Sequence, residues 1–390
     1  MKRTITRGAA SAAVVAVALT ASGCAGATGA DSSDSPSATG RLAVAYEGGI
    51  AVLDPATLEV VDQFDSEEFT RLNSAGDGRN VMVTMSEGFQ VLDTSTPELT
   101  DLVFDAVTPG HVVPHGSTTA LYDDGTGDTT IYDTEALDST SGELPETRGV
   151  PAEAAHHGVS VQLTDGTLLT TIGDEESRSG ARALDPEGEE LARSEDCPSI
   201  HGEGTAADEV VVFGCEDGAL LYHDGAFEKL DADEEYGRMG NAYVSATSPI
   251  VVGDYKDDPD AEGYLLDQVV LIDTAGHTYE KVELPDGIEY TYRDVIRGPG
   301  ENAYILSTDG AIHVLDPDTG EITDAIDVID PWEGPGEWQE PHPTLVGTGD
   351  TAYVTEPAKN TVHAVDLTTG EVTASVELEA APNEIAVASE

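Results

Sequence analysis

Ten histidines are the residues of this 390-residue chain best suited to chemistry. A neutral imidazole is a favoured ligand for zinc and similar ions. Five of them fall in short segments that lead into apolar, strand-like runs: His111 in Pro-Gly-His-Val-Val-Pro-His-Gly, His156 and His157 in His-His-Gly, His201 in Ile-His-Gly, and His342 in Glu-Pro-His-Pro-Thr. Arg71 and Arg293 occupy the same place in two further segments. A lone histidine in such a position is more often a hydrogen-bonding residue than a ligand. Recurrence at equivalent places gives these weight, since three or four ligands converging from separate strands can hold a tetrahedral ion with no local loop motif. His156 and His201, completed by His157, His111 or His342, are the expected ligand set. The two arginines have a second use, neutralising an acidic rim or binding a partner's carboxylate. His223, His277, His313 and His363 fall in outer strands and turns and read as structural or exposed; His115 falls at the turn just after His111.

What must position these residues is a repeat. Thr351-Ala-Tyr-Val-Thr355, Thr361-Val-His-Ala-Val-Asp366, Leu-Thr-Thr-Gly and Glu371-Val-Thr-Ala-Ser-Val376 form one unit, and Asn302 to Ile326 repeats it with Ala311-Ile-His-Val-Leu-Asp316 and Pro-Asp-Thr-Gly. Copies begin at Arg41, Asn80 and Thr119, and others near Thr167, Glu209 and Ile250. A period of roughly 40–50 residues made of short strands belongs to propeller blades. Period-two alternation suits half-buried strands. The Asp closing the third strand can accept hydrogen bonds from the next turn, where Gly supplies positive φ. The expected fold is therefore all-β, a β-propeller of about eight four-stranded blades, with seven as the alternative. The orphan strand Glu384–Ala388 should pair with the three-stranded first unit and close the ring across the chain ends.

Residues 1–23 read as a lipoprotein signal peptide. Lys2, Arg3 and Arg7 precede an apolar run from Ala9 to Ala21 that closes on Ser22-Gly23-Cys24. Cys24 is the expected lipidation site, with an ordinary secretory signal as the alternative. Residues 24–40 then form a polar tether that cannot bury enough surface to fold, and 41–390 the propeller. The chain is thus expected on the extracytoplasmic side of the cell membrane, held only through its lipid. Its formal charge of −59, from 76 acidic and 17 basic residues, makes nucleic acid and anionic lipid poor partners and cations natural ones. High-salt solubility is the other use of such acidity. Outside the cytoplasm Cys197 and Cys215 favour a disulfide; as a thiolate pair for metal they lack a Cys-x-x-Cys signature.

Pro151-Ala-Glu-Ala-Ala-His-His-Gly-Val-Ser-Val161, Cys197-Pro-Ser-Ile-His-Gly-Glu203, Val212-Phe-Gly-Cys-Glu-Asp-Gly218 and Pro341-His-Pro-Thr together resemble the zinc metallochaperone family called AztD. The likeness runs from about Arg41 to the end, and the combination is far more specific than any one piece. It implies an exported β-propeller that holds zinc and hands it to the zinc-binding protein of an ABC importer, without catalysis; a monomer is the separate expectation for the chain. It also implies a Cys197–Cys215 disulfide beside the strand of His201. One departure is plain: some members carry a histidine-rich flexible stretch, and residues 25–40 here contain no histidine. Two other classes compete. A metal-dependent propeller hydrolase or lactonase would use Glu203 or Asp294 as base; a scaffold without metal would use the acidic rim alone. Nothing resembles a nucleophile elbow or a dinucleotide loop.

Overall fold

Short β-rich runs separated by Asp, Gly and Thr turns can form only hairpins, and here each run pairs antiparallel with the next. The computed structural model describes residues 40–388, in which eight sheets of four strands follow one another, the fifth with the short strand Gly237–Arg238 added beside Asp217–His223. The expected signal peptide, Cys24 and almost all of the expected tether lie outside the described residues. Numbered from the amino end and read from the innermost strand outward, blade 1 contains Pro382–Val387, Leu42–Tyr46, Gly49–Leu53 and Val60–Asp65. The inner strands of blades 2 to 8 are Arg71–Ser74, Pro109–His115, Ser160–Gln162, His201–Thr205, Ala242–Tyr243, Val295–Arg297 and Leu345–Thr348.

The middle strands differ from the expected alternation. Gly49–Leu53 and Val211–Cys215 are buried along their whole length, because each is covered by a neighbouring blade on both faces. Partial alternation survives in outer strands such as Glu98–Asp105, one edge of which meets solvent. Eight apolar clusters result, seven spanning two successive blades and one reaching from Val113 of blade 3 through blade 4 to Phe213 of blade 5. Blades 1 and 2, for example, share Ala43, Ile50, Val52, Val81, Val83 and Leu92, and blades 8 and 1 share Tyr353, Val362, Leu42 and Leu53. The series therefore returns to its start, and blade count and core are the same fact.

Closure uses the two chain ends, as the orphan strand suggested. Leu42 pairs with Val387, Ala43 with Ala386 and Val44 with Ile385. The turn chemistry also follows the residues. Asp366 Oδ1 accepts from the backbone N–H groups of Thr368 and Thr369 at 2.8 and 3.0 Å, and Gly370 takes φ +70°.

Candidate metal centre

Innermost strands begin at one mouth of the channel, so a side chain just before or at the start of such a strand faces its counterparts from neighbouring blades. His111 is near the start of the inner strand of blade 3, His157 leads into that of blade 4, and His201 begins that of blade 5. These three meet. Their ring centroids are 5.2 Å (His111–His157), 5.7 Å (His111–His201) and 5.1 Å (His157–His201) apart, and one nitrogen of each lies within 4.8 Å of the others.

Two of the rings are held by the atom that faces away. Asp124 Oδ2 lies 2.6 Å from Nδ1 of His157, and the Gly240 carbonyl oxygen 2.5 Å from Nδ1 of His201. A hydrogen bond through Nδ1 fixes the tautomer and leaves Nε2 as the donor to a metal. His111 Nδ1 is buried with no hydrogen-bond partner, a state that costs free energy until a partner arrives. Burial, and then the facing His201, His157 and Arg71, hold the His111 ring well below the usual imidazole range. Burial likewise brings His201 down to about 3, against the opposing pull of the Gly240 carbonyl. Both rings are therefore neutral at neutral pH, with lone pairs available.

His156 and His342 take other places. His156 is buried between blades, its Nε2 2.8 Å from Tyr122 Oη and 3.1 Å from Thr171 Oγ1 and its Nδ1 2.9 Å from the Ala154 carbonyl. With both nitrogens engaged, it is separate from the three converging rings, and His157 is the member of the pair that faces the mouth. His342 leads into blade 8, three blades from both blade 3 and blade 5 in a ring of eight. Its Nδ1 bonds the Glu340 carbonyl at 2.7 Å, and burial beside Arg293 lowers its pKa to about 4. His115 sits at the far end of its strand, 2.7 Å from Glu209.

The other half of the mouth is built from the arginines. Glu384, on the closing strand of blade 1, collects both of them: Arg293 Nη2 at 2.6 Å and Arg71 Nε at 3.7 Å. A cavity of about 1250 Å³ opens between the halves, lined by His111, His157, His201 and Asp124 on one side and Arg71, Arg293, Glu384 and Trp338 on the other. Residue reasoning missed Asp124 and Glu384. Asp124 follows Asp123 in an ordinary turn and is one of 76 acidic residues, so only its neighbour across the blade boundary distinguishes it. Cys197 and Cys215 form a disulfide that ties the segment entering His201 to the second strand of blade 5.

The two candidate bases lie off the mouth. Glu203 lines a smaller space of about 230 Å³ deeper in the channel, where burial raises it to about 8. Asp294 is fully buried; its Oδ2 accepts from Thr291 N–H and Oγ1–H, both at 2.7 Å, while Oδ1 has no partner. Burial raises Asp294 from 3.8 to about 8, outweighing the Thr291 bonds and Arg293. Its contribution to stability is complete below pH 3.8 and is lost as pH climbs through 8. Asp294→Asn should therefore gain stability relative to wild type by up to about 1.4 kcal/mol per pH unit over that interval. Urea unfolding at pH 5, 6.5 and 8 reads this directly, and a pH-independent difference would contradict it.

No family profile matches the chain. Among curated proteins it is similar to "Zinc chaperone AztD" of Citrobacter koseri, 24% identical over 362 residues that cover 85% of this chain and 84% of that one. Among solved structures it matches apo AztD from Citrobacter koseri with a TM-score of 0.74 at 22% identity, covering 89% of this chain and 97% of that one. The dihydro-heme d1 dehydrogenase NirN follows with a TM-score of 0.61 at 12% identity over 89% of this chain and 75% of that chain, a likeness of fold alone. By sequence, then, the chain is similar to that zinc chaperone, and it shares its fold.

Proposed function

We propose that this protein is an extracytoplasmic zinc carrier that loads zinc at the His111–His157–His201 mouth and passes it to the zinc-binding protein of an ABC importer. The observation that carries this reading is three imidazoles from three successive blades, with two rings pre-oriented through Nδ1. Three imidazole nitrogen donors with an open fourth position suit zinc, and the named activity of the similar AztD protein agrees with that cargo. Asp124, bonded to His157, is the outer carboxylate that orients a zinc-binding histidine.

Transfer follows from unequal exposure. His157 is exposed, whereas His111 and His201 are half-buried. An incoming ligand from an acceptor therefore reaches the ion from the His157 side first, and the ion leaves by exchange of one ligand at a time without release to solvent. Anchoring through Cys24 would keep the carrier near a membrane importer, and the charge of −59 would repel nucleic acid while drawing cations. No step requires a base or a nucleophile.

The test is transfer under competition. Protein carrying one equivalent of zinc is mixed with apo zinc-binding protein of the importer, in the presence of a chelator that captures free zinc faster than the acceptor does. Zinc should appear on the acceptor while the chelator stays empty. Zinc partitioning to chelator and acceptor as free ion does would remove the carrier reading.

A further inference from the structure

The propeller carries a second convergence of metal-binding side chains, remote from the channel. His223 ends the third strand of blade 5 (Asp217–His223), Glu228 is on its outer strand (Ala226–Asp231), and His277 is in the hairpin turn of blade 6 between Gln268–Asp273 and Thr278–Glu283. Glu228 Oε2 lies 2.8 Å from both His223 Nε2 and His277 Nδ1. The two rings are 5.0 Å apart and inclined at 66°, and one donor atom of each residue lies within 4.8 Å of the others. We propose that these three residues form a second binding site for a divalent transition ion, zinc in the first instance, which bridges blades 5 and 6.

The chemistry of the set supports this. Two imidazoles and one carboxylate are a complete protein ligand set for a zinc ion that keeps an open position. Without an ion, one carboxylate oxygen must take hydrogen bonds from both rings, which fixes which nitrogen of each carries its proton. An ion satisfies the oxygen and both nitrogens together. Asp224, almost fully exposed and 3.6 Å from His223 Nδ1, adds negative charge at the rim. The site is open to solvent: the side chains of His223, Glu228 and His277 are 24%, 39% and 42% exposed.

Strand register places it on the opposite face of the propeller. Tyr222 pairs with Val211, and Val211 with Thr205, whereas His201 pairs with Gly214. His223 is thus level with the far end of the strand that His201 begins, about 13 Å away along the strand direction and two or more strand spacings outward. The two centres can fill independently. An ion here would link hairpins of adjacent blades and should raise thermal stability when bound.

The experiment separates this site from the channel site. Zinc is titrated into four forms of the full chain against a chromophoric chelator: wild type, His157→Ala/His201→Ala, His223→Ala/His277→Ala, and all four changes together. The expected stoichiometries are two, one, one and none, and zinc should raise the melting temperature of the His157→Ala/His201→Ala form but not of the quadruple form. Glu228→Gln in the His157→Ala/His201→Ala background keeps the shape of the side chain and should weaken the remaining site by about tenfold or more. If the His157→Ala/His201→Ala form competes for no zinc, or if its zinc is unaffected by the His223, His277 and Glu228 changes, the second site does not exist. Neither result bears on the channel centre, whose loss is read in the other arm.

Discussion

Zinc held at the channel mouth should weaken by roughly 100-fold or more for each of His111→Ala, His157→Ala and His201→Ala, and be lost in any pair of them. A zinc site of four protein ligands is worth on the order of 10–16 kcal/mol, so one ligand of such a set accounts for roughly 3 kcal/mol, or two decades of affinity. His156→Ala and His342→Ala are the informative contrasts. His156 spends both nitrogens on Tyr122, Thr171 and Ala154, so its loss leaves buried polar groups unpaired and should cost about 1–3 kcal/mol of folding stability while zinc affinity stays within a few-fold of wild type. His342, in blade 8, should behave likewise. The measurement is a competition titration beside urea unfolding for all five variants. If His156→Ala loses zinc as His157→Ala does, the ligand assignment is wrong; if only stability moves, the adjacent pair has been correctly divided.

The second large effect is expected from the disulfide. Cys197 and Cys215 are 18 residues apart in sequence, and closing a loop of that size stabilises a folded chain by about 3 kcal/mol. Cys197→Ser/Cys215→Ser should lose about that much, with a matching fall in the urea midpoint. Zinc affinity should fall by about tenfold as well, because the bridge fixes the segment that delivers His201. Backbone bonds from Cys197 N–H to the Ser179 carbonyl and from Glu216 N–H to the Pro198 carbonyl remain and limit the damage. Reduction of the native protein should reproduce the stability loss. An unchanged zinc affinity in a destabilised variant would mean that those backbone bonds alone hold His201 in place.

The repeat made the blades legible in the sequence because each closing Asp and following Gly has a local physical duty, visible one unit at a time. Closure by Glu384–Ala388 was legible for a related reason: a fourth strand was missing at one end of the chain and spare at the other. The site was only half legible. Lead-in position identified the level at which His111, His157, His201 and His342 lie, since all precede or begin an inner strand. Level is not azimuth. In a ring of eight, residues meet only if their blades are at most about two apart, which admits blades 3, 4 and 5 and leaves His342 across the channel with Arg293. The choice between His156 and His157 depends on which way a non-strand segment turns, and no periodicity reports that. His223 and His277 read as ordinary turn residues because the carboxylate that unites them belongs to another strand.

The pairing of Leu42–Tyr46 with Pro382–Val387 has a consequence in time. The first of the described strands to be made has no inner partner until Pro382–Val387 has been made, roughly 20–70 s later at ordinary rates of elongation. Throughout that interval it presents an open, apolar edge of the kind that templates association with other chains. Sealing of the ring thus waits for Pro382–Val387, and a chain without that segment leaves blade 1 with three strands and the ring open.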